Sequence, residues 1–347
     1  MKIIAEYIWI DGYQKLRSKT KVFNLKLDSD MRINLNINTF PLWNYDGSST
    51  NQAEGSNSEI VLKPVQVYKD PFRQNTNNNN ENNYLVLCET YNVDGTPTIT
   101  NTRNKALQIF NKYENLEPMY GIEQEFFISK NSVPVAFINN NEVLPQKNYY
   151  CGVGGDNIYY RNVIEEIMNN CLYSKINLTG LNSEVAPSQW EFQVCNYGIE
   201  AADQLIMLRY IINRTLEKYD LNMDLHPKPI KGDWNGSGCH VNFSTNTMRQ
   251  ENGYENILSA IKNLEKYHKE SIKHYGEDNH LRLTGLHETS SMDTFSYGVA
   301  NRGASVRIPR TTEENKCGYF EDRRPSSNMD PYLVTSIILE ISQKSSN

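Results

Sequence analysis

Alternating apolar and polar residues predict several strands near the start of the chain. Residues 3–10 and 20–27 have this pattern and flank Asp11–Gly12, a dipeptide typical of a hairpin turn between two strands. The pattern resumes over residues 60–68 and 84–90. Together these segments predict a small β-rich unit.

Polar segments rich in glycine or asparagine separate these strands. Trp43–Ser58 has no periodicity and predicts a long irregular loop, and such loops are often functional. In this loop a glycine turn could offer Asp46 to a ligand, although turn chemistry alone favours a surface Asx turn. Residues 75–83, almost all asparagine, predict a mobile surface loop.

The rest of the chain alternates strands with helices. Asn101–Tyr113 places its apolar residues on one helix face, and we expect a domain boundary near Thr96 that divides residues 1–95 from residues 96–347. Further helices are predicted over residues 158–172, 199–218, 254–274 and 332–343, and further strands over residues 120–128, 189–195, 239–243 and 304–308. This mixture predicts an α+β fold.

Composition and charge exclude several classes of protein. A chain of 347 residues with 38% hydrophobic content can form one large or two unequal domains. A net charge of -6 without a Lys/Arg-rich run argues against a nucleic-acid partner. No segment has the length of a membrane span or the features of a signal peptide, so we expect no membrane contact and no export. The six scattered cysteines without a CxxC pair indicate reduced thiols in a cytoplasmic protein.

Two carboxylates lie two residues apart in the predicted strand YGIEQEFFI. Residues i and i+2 share a strand face, so Glu123 and Glu125 would project into one space with their Cα atoms roughly 6.5 to 7 Å apart. Two like charges on an otherwise apolar strand are costly unless cations neutralise them. The spacing suits two metal ions, one per carboxylate, and a strand with one solvated face is the alternative.

Three more acids and one histidine lie in similar settings. Glu184 precedes a proline in a predicted loop, Glu191 lies between two aromatic residues, His240 begins a predicted strand after three glycines, and Glu321 lies beside Asp322 and two arginines. Taken singly, a buried structural histidine or a surface ion pair explains such residues. Together, oxygen ligands and one imidazole suit Mg²⁺ or Mn²⁺, and the absence of thiolate pairs argues against structural zinc.

Arginines cluster late in the chain, at Arg282, Arg302, Arg307 and Arg323. An arginine binds carboxylate or phosphate through two parallel hydrogen bonds, and phosphoryl transfer needs cations around the transferred group. Acids that hold divalent metal beside arginines therefore indicate phosphoryl chemistry on an anionic acceptor. The polar segment LHETSSMDTFSYG lies between these arginines and resembles a mobile lid that carries Glu288.

These motifs resemble glutamine synthetases of the eukaryotic type (type II). The matching stretches follow the family's order along most of the chain and are YIWIDG, WNYDGSST, EGSNSE, DPFR, GIEQEF, YYCGVG, SEVAPSQWEFQ, HPKPIKGDWNGSGCHVNFS, MRQENG, RLTGLHETS, VANRGASVRIPR and GYFEDRRPSSNMDP. The resemblance implies a small N-terminal β-grasp domain and a larger catalytic domain with a curved antiparallel sheet and helices. It implies an ATP-dependent ligase that joins ammonia to L-glutamate through γ-glutamyl phosphate and releases L-glutamine, ADP and phosphate.

The resemblance also implies roles for individual residues. One divalent ion, Mg²⁺ or Mn²⁺, would be held by Glu125, Glu184 and Glu191, and a second by Glu123, His240 and Glu321. ATP would contact Glu123, Glu191, Asn242, Phe243, Ser244, Arg302, Arg307, Tyr319, Phe320 and Glu321. Glutamate would contact Asp233, Trp234, Gly236, Arg282, Arg302 and Arg323. Ammonium would be bound by Asp46, Ser49 and Glu288, and the catalytic residues would be Asp46, Glu288 and Arg302.

The family's assembly is the last expectation. The resemblance implies a homo-oligomer of two stacked five-membered rings, in which the small domain of one subunit supplies Asp46 to the site of the next. Four features depart from the family pattern: the chain opens at its first strand, has an asparagine-rich insert, ends in a short tail and carries Gly303 where serine is usual. We expect these departures to affect subunit packing more than chemistry. A non-catalytic assembly protein and a ligase for a larger amine are the alternatives, and the intact set of motif residues argues against both.

Overall fold

The computed structural model describes residues 2–25, 36–73, 82–140 and 143–344. The predicted loop at residues 75–83 lies mostly outside the described residues, as do residues 26 and 27 of the second predicted strand. The chain divides into two units, Met1–Leu107 with Asn169–Ile176 and Gln108–Met168 with Asn177–Asn347. Each unit contains one sheet, and the expected α+β fold is confirmed.

The first unit holds a five-stranded sheet. Its strands are β1 (Lys2–Ile10), β2 (Leu16–Asn24), β3 (Trp43–Asp46), β4 (Glu59–Lys69) and β5 (Asn83–Asn92), in the spatial order β2-β1-β5-β4-β3. All neighbours are antiparallel except β1 and β5, which run parallel. Alternate β1 residues from Ile3 to Trp9 pack into the buried apolar cluster of this unit, because side chains of a strand alternate between its two faces.

The sequence located the first hairpin correctly but began its second strand too late. β2 starts at Leu16, opposite Ile10, rather than at residue 20. The side chain of Asp11 accepts hydrogen bonds from the backbone of Tyr13 and Lys15 (2.8 and 2.9 Å). The Asp11 carboxylate thereby closes a short loop, so strand pairing resumes at once.

The prediction of an irregular loop over Trp43–Ser58 was wrong in part. Trp43–Asp46 forms β3 and pairs with β4. A 3-10 helix follows over Gly47–Thr50, and the Asp46 side chain caps it by accepting a hydrogen bond from the Ser48 amide. Pairing with a strand more than ten residues away leaves no periodic signal in so short a segment.

The second unit holds a nine-stranded sheet. Its strands are β6 (Met119–Lys130), β7 (Val133–Pro134), β8 (Leu178–Ser183), β9 (Gln189–Tyr197), β10 (Asn222–Asp224), β11 (Cys239–Ser244), β12 (Tyr297–Val299), β13 (Val306–Ile308) and β14 (Phe320–Asp322). The order is β12-β13-β14-β11-β6-β9-β8, with β7 and β10 also paired to β6. All pairs are antiparallel except β12 with β13.

The helices of the described chain are α1 (Thr102–Lys112), α2 (Arg161–Tyr173), α3 (Gly198–Glu217), α4 (Asn246–Arg249), α5 (Tyr254–Lys266), α6 (His268–Ser271), α7 (Arg310–Asn315) and α8 (Pro331–Ser342). Two boundaries differ from prediction by more than one residue. α2 starts at Arg161 rather than at residue 158, because Tyr160 has a left-handed φ of 59° that a helix does not accept. The helix predicted over residues 254–274 breaks at Tyr267, which lets the buried His268 bond to the Met292 carbonyl (2.9 Å).

One face of the larger sheet is apolar and packs against α3, and the Tyr120 hydroxyl on this face donates a hydrogen bond to the Thr335 carbonyl of α8 (3.0 Å). Tyr120, Phe243 and Phe320, from three neighbouring strands, are fully buried and in ring contact, and α3 packs on β6 and β9. Since side chains alternate along each strand, the residues between these aromatics project from the opposite face. That opposite face carries the acids identified in the sequence.

Candidate functional site

Strand register brings the predicted acids and the histidine together on one face of the larger sheet. His240 of β11 lies opposite Glu123 of β6, and Glu191 of β9 lies opposite Glu125. On the next strand, Glu321 of β14 lies opposite Asn242. Residues directly opposite on antiparallel strands have Cβ atoms about 5 Å apart, so these side chains share one space although they come from distant parts of the chain.

His240, Glu123 and Glu321 form the tightest group. The Nδ1 atom of His240 lies 3.3 Å from Oε2 of Glu123 and 3.6 Å from Oε1 of Glu321, and one ligand atom from each residue lies within 4.8 Å of the others. Burial, followed by the nearby charges of Arg323 and Arg282, lowers the pKa of His240 well below its ordinary value. The imidazole is therefore neutral at neutral pH, which is the form that ligates a metal ion.

Glu125, Glu184 and Glu191 form a second group of acids. Burial, followed by the charge of Glu184, raises the pKa of Glu125 to about 8. The same cause, followed by neighbouring carboxylates, raises the pKa of Glu184 to about 7 and that of Glu191 to about 8. Three acids that resist ionisation in the protein alone fit a site that receives divalent cations, because a cation removes the mutual repulsion.

Amide side chains hold these carboxylates in place. Oε2 of Glu125 accepts hydrogen bonds from Nε2 of Gln189 (3.0 Å) and the Gly238 amide (2.8 Å). Nε2 of Gln193 donates to Glu191 (2.7 Å). Both glutamines lie two residues from Glu191 on β9 and share its face, so period-two alternation could have identified them, but the sequence analysis missed them.

Arginines from β13 and from the chain outside the strands contact the same group of residues. Both carboxylate oxygens of Glu321 are paired, one with Arg323 Nη1 (2.7 Å) and the other with Arg307 Nε. Nη2 of Arg282 lies 2.9 Å from Nε2 of His240, and burial lowers the pKa of Arg282 to about 10. The cations that the sequence predicted for an anionic substrate therefore contact the proposed metal ligands directly.

A glycine at residue 238 permits this close approach. A Cβ atom there would lie 2.5 Å from Nη2 of Arg282 and 2.8 Å from Nε2 of His240. A side chain at this position would displace both groups, so the glycines before His240 leave space for the site.

A cavity of about 710 Å³ opens over this face of the sheet. Of the residues predicted from the sequence, it is lined by Glu123, Glu125, Glu184, Glu191, Asp233, Gly236, His240, Arg282, Glu288, Arg302, Arg307 and Arg323. Lining residues that the sequence analysis missed include Gln146, Lys147, Tyr150, Asn182, His287 and Thr289. Asn182 lies at the end of β8, His287 and Thr289 flank Glu288 in the predicted lid, and the other three lie in irregular segments, so only the folded chain shows that they reach the cavity.

The lid predicted around Glu288 lies along this cavity. His287 and Glu288 both have left-handed backbone conformations, with φ of 54° and 59°. The Glu288 carbonyl accepts a hydrogen bond from Arg323 Nη2 (3.3 Å), and Nε2 of His287 lies 3.2 Å from the Asp233 carboxylate. The segment is therefore held to two residues predicted to bind glutamate.

The residues predicted to contact ATP are distributed over both faces of the sheet. Asn242 donates to Glu123 (2.8 Å) and Tyr319 is half exposed. Phe243 and Phe320 have buried side chains in the apolar core, so only their main chains could reach a nucleotide. Ser244 is buried and accepts a hydrogen bond from Arg249 (3.0 Å). Trp234, which is predicted to contact glutamate rather than ATP, packs edge-on against the ring of Phe137.

Asp46 and Ser49 belong to the first unit. Asp46 is exposed, and its carboxylate accepts hydrogen bonds from the hydroxyls of Ser48 and Ser49 (both 2.6 Å). These bonds and one from the Ser48 amide lower the pKa of Asp46 to about 2. Asp46 is therefore an ionised, outward-facing carboxylate at neutral pH, which can bind a cation.

Comparison with known proteins places this site in context. Residues 101–274 match the family model described as the glutamine synthetase catalytic domain. The chain is 50% identical over 338 residues to a putative glutamine synthetase of Acanthamoeba polyphaga mimivirus, covering 97% of this chain and 93% of that protein. It is 51% identical over 342 residues to the glutamine synthetase of Candida glabrata (98% and 88% covered). It is 49% identical over 345 residues to glutamine synthetase cytosolic isozyme 1-1 of Oryza sativa subsp. japonica (98% and 93% covered).

Proposed function

The chain belongs to the glutamine synthetase family, and we propose on that premise that it joins ammonia to the side-chain carboxylate of L-glutamate, using ATP. One observation carries the proposal. Four acids, Glu123, Glu125, Glu184 and Glu191, line one cavity together with His240 and arginines, and Oε1 of Glu321 lies 3.6 Å from Nδ1 of the neutral His240. Phosphoryl transfer to an anionic acceptor requires this combination of acidic metal ligands and substrate-binding cations.

Two divalent cations, Mg²⁺ or Mn²⁺, complete the proposed site. Glu125, Glu184 and Glu191 would hold one, and Glu123, His240 and Glu321 the other. The donor set fits, because carboxylate oxygens with one imidazole suit these hard cations, and burial and mutual repulsion, which raise the pKa values of three acids, are relieved by a bound cation. When bound, the cations neutralise the acids and polarise phosphoryl oxygens.

The arginines and the acids would divide the two steps of the reaction. Arg282, Arg302 and Arg323, with Asp233, Trp234 and Gly236, would orient glutamate so that its side-chain carboxylate takes the terminal phosphoryl group of ATP. The nucleotide would lie against Glu123, Glu191, Asn242, Phe243, Ser244, Arg302, Arg307, Tyr319, Phe320 and Glu321. The product of this step is γ-glutamyl phosphate, and ammonia then displaces phosphate to give glutamine.

Ammonium must be bound and deprotonated before it can attack. Asp46, helped by Ser49, would bind the cation and accept its proton, and Glu288 would close the site over the intermediate. The low pKa of Asp46 supports the binding role, because the carboxylate stays charged over the whole physiological range. Asp46 would come from a neighbouring subunit.

Assembly and location follow from the same proposal. We propose a homo-oligomer of two stacked five-membered rings, and a boundary near residue 96 between a small domain (1–95) and a catalytic domain (96–347). None of the described helices is long and apolar enough to cross a membrane. All six cysteines are free thiols, which supports a cytoplasmic location.

The choice of amine tests the proposed function. We expect ATP-dependent product with ammonium and with hydroxylamine, and little with alkylamines. Preference for an alkylamine would indicate a ligase for a larger amine, and no turnover with any amine would indicate a non-catalytic assembly protein.

Replacement of one proposed ligand tests the metal assignment. Glu125→Ala should lower glutamine formation by at least about 100-fold while the protein stays folded, because the change removes a metal ligand and little core volume. Activity within a few-fold of the unchanged protein would reject the assignment.

A further inference from the structure

The main chain at Glu125 has an unusual set of hydrogen-bond partners. β11 pairs with β6 from Met119 to Gln124, and β10 pairs with β6 from Phe127 to Ser129. On this side of β6, Glu125 and Phe126 therefore lie in the gap between the segment paired with β11 and the segment paired with β10. The Glu125 amide still donates to the Gly238 carbonyl (3.1 Å), but the Gly238 amide donates to the Glu125 carboxylate (2.8 Å) rather than to the Glu125 carbonyl oxygen.

Two buried side chains supply donors to that oxygen instead. The Glu125 carbonyl accepts a hydrogen bond from Oγ of Ser327 (2.6 Å) and another from Nε2 of Gln124 (2.7 Å). Ser327 and Gln124 are both fully buried. Nε2 of Gln124 also donates to the Ser327 hydroxyl and carbonyl (both 3.1 Å). The pair replaces a missing section of the strand ladder.

Arg209 of α3 fixes the orientation of the Gln124 amide. Nε of Arg209 donates to Oε1 of Gln124 (2.7 Å). A guanidinium can only donate hydrogen bonds, so the amide must turn its oxygen toward Arg209 and its two N–H groups toward Glu125 and Ser327. The other arginine nitrogens donate to the carbonyls of Ser327 (3.1 Å) and Met329 (2.9 Å).

This network lies on the opposite face of the sheet from the Glu125 carboxylate. The carboxylate itself is held by Gln189 and the Gly238 amide, so both ends of Glu125 are restrained. A strand segment that lacks a ladder donor on one side can shift toward that side, and a backbone shift at Glu125 moves its carboxylate directly. Metal ligands need placement to within about 0.5 Å.

We propose that Arg209, Gln124 and Ser327 are positioning residues, which hold the main chain of Glu125 so that its carboxylate meets the divalent cation. The inference rests on the proposed role of Glu125 as a metal ligand. It adds three residues that touch neither substrate nor metal and that act through the Glu125 backbone.

Two substitutions remove the proposed restraint without removing a metal ligand. Ser327→Ala deletes one donor to the Glu125 carbonyl. Gln124→Glu keeps the size of the side chain and the contact with Arg209 but replaces the donating NH₂ group with an acceptor. Ser336→Ala is the matched control, because the Ser336 hydroxyl is also buried and donates to a carbonyl (2.7 Å), in this case Tyr332 within α8.

The experiment measures Mn²⁺ binding to the purified full-length protein without substrates, by the electron paramagnetic resonance signal of the free ion. It then measures the Mg²⁺ concentration that gives half-maximal glutamine formation. Both test variants should bind one of the two proposed Mn²⁺ ions about tenfold or more weakly, as supporting residues around metal ligands do. Their activity should recover at high Mg²⁺, whereas Ser336→Ala should match the unchanged protein in both assays.

Glu125→Ala separates failure of this inference from failure of the proposed function. If Glu125→Ala loses one of the two Mn²⁺ ions while Ser327→Ala and Gln124→Glu bind both normally, the positioning role is overturned and the proposed site stands. If Glu125→Ala binds Mn²⁺ normally, the ligand assignment itself is wrong. Equal weakening in Ser327→Ala and Ser336→Ala would also overturn the inference, because it would indicate a general effect of lost buried hydrogen bonds.

Discussion

At the scale of single residues, Glu125, Glu184 and Glu191 have one property in common. Burial raises the pKa of each carboxyl group and so disfavours its ionised form. Their pKa values of about 8, 7 and 8 compare with an ordinary value of 4.5. The folded protein without metal therefore holds protons on these residues over a pH range in which the unfolded chain has released them. Proton binding and cation binding are alternative ways to relieve the same repulsion.

This difference predicts how stability depends on pH. Because the folded state binds more protons, the free energy of unfolding of the metal-free protein should fall as pH rises from about 4.5 to about 8. Mg²⁺ or Mn²⁺ should stabilise the protein more at pH 8 than at pH 5. Thermal unfolding with and without metal at several pH values measures both effects, and Glu125→Gln, which cannot ionise, should reduce the pH dependence. If the free energy of unfolding of the metal-free protein rises over this pH range, the raised pKa values of these three acids are wrong.

Asp46 has the opposite character, as an exposed acid kept ionised by the hydroxyls of Ser48 and Ser49. Asp46→Asn should spare phosphoryl transfer and slow amide formation, since an amide binds ammonium less well and accepts no proton. Single-turnover ADP formation and glutamine formation, measured in the same samples, separate the two steps. An equal loss in both would count against the proposed role, and Asp94→Asn, at another exposed turn of the same unit, serves as the control.

At the scale of elements, two consecutive residues of β14 have different roles, because Glu321 belongs to the proposed site and Asp322 stabilises the fold. Glu321 faces the acids, while Asp322 faces the opposite side and is fully buried. Asp322 pairs with Arg324 (2.6 Å), which in turn contacts His268 of α6 (3.0 Å). This buried ion pair anchors the strand that presents Glu321.

Breaking the pair should cost stability. Asp322→Ala leaves the Arg324 charge buried without its carboxylate partner, so the free energy of unfolding should fall by about 3 to 5 kcal/mol. Chemical denaturation measures the change. Glu217→Ala, which removes the acid of an exposed pair with Arg214 (2.8 Å), should change stability by less than about 1 kcal/mol. If the two substitutions lower the free energy of unfolding by similar amounts, the buried Asp322–Arg324 pair contributes no more to stability than the exposed pair.

At the scale of the whole molecule, the proposed active site combines two subunits. Asp46 would act in the site of a neighbour, so a subunit that lacks Asp46 and a subunit that lacks Glu125 each have what the other needs. Mixed particles would contain some sites with both residues intact. Recovery of activity in mixed particles therefore distinguishes a site shared between subunits from a site built within a single chain.

Complementation tests the shared site. Asp46→Asn and Glu125→Ala subunits, denatured, mixed in equal amounts and refolded together, should recover about one quarter of full activity, the fraction of neighbouring pairs that combine both intact residues. Each variant refolded alone provides the control. No activity above the sum of the two controls, in particles of normal mass, would argue that each chain uses its own Asp46.

The sequence by itself determined the strand over residues 120–128, the spacing of Glu123 and Glu125, and the family. These depend on local alternation and on contiguous motifs, which a linear chain displays. It also indicated divalent cations, because ligand type decides which metal a site prefers. The predicted ranges of the longer helices and strands agree with the structure within a few residues, except where Tyr160 and Tyr267 adopt conformations that interrupt a helix.

Only the tertiary structure decided which partners these residues have. Register places Glu191 opposite Glu125 and His240 opposite Glu123, and the Glu125 carbonyl meets Ser327 from 202 positions away. Register and such distant contacts depend on hydrogen bonds and core packing between segments far apart in sequence. No local pattern encodes them, because the same alternation is compatible with several pairings until burial of the apolar face selects one.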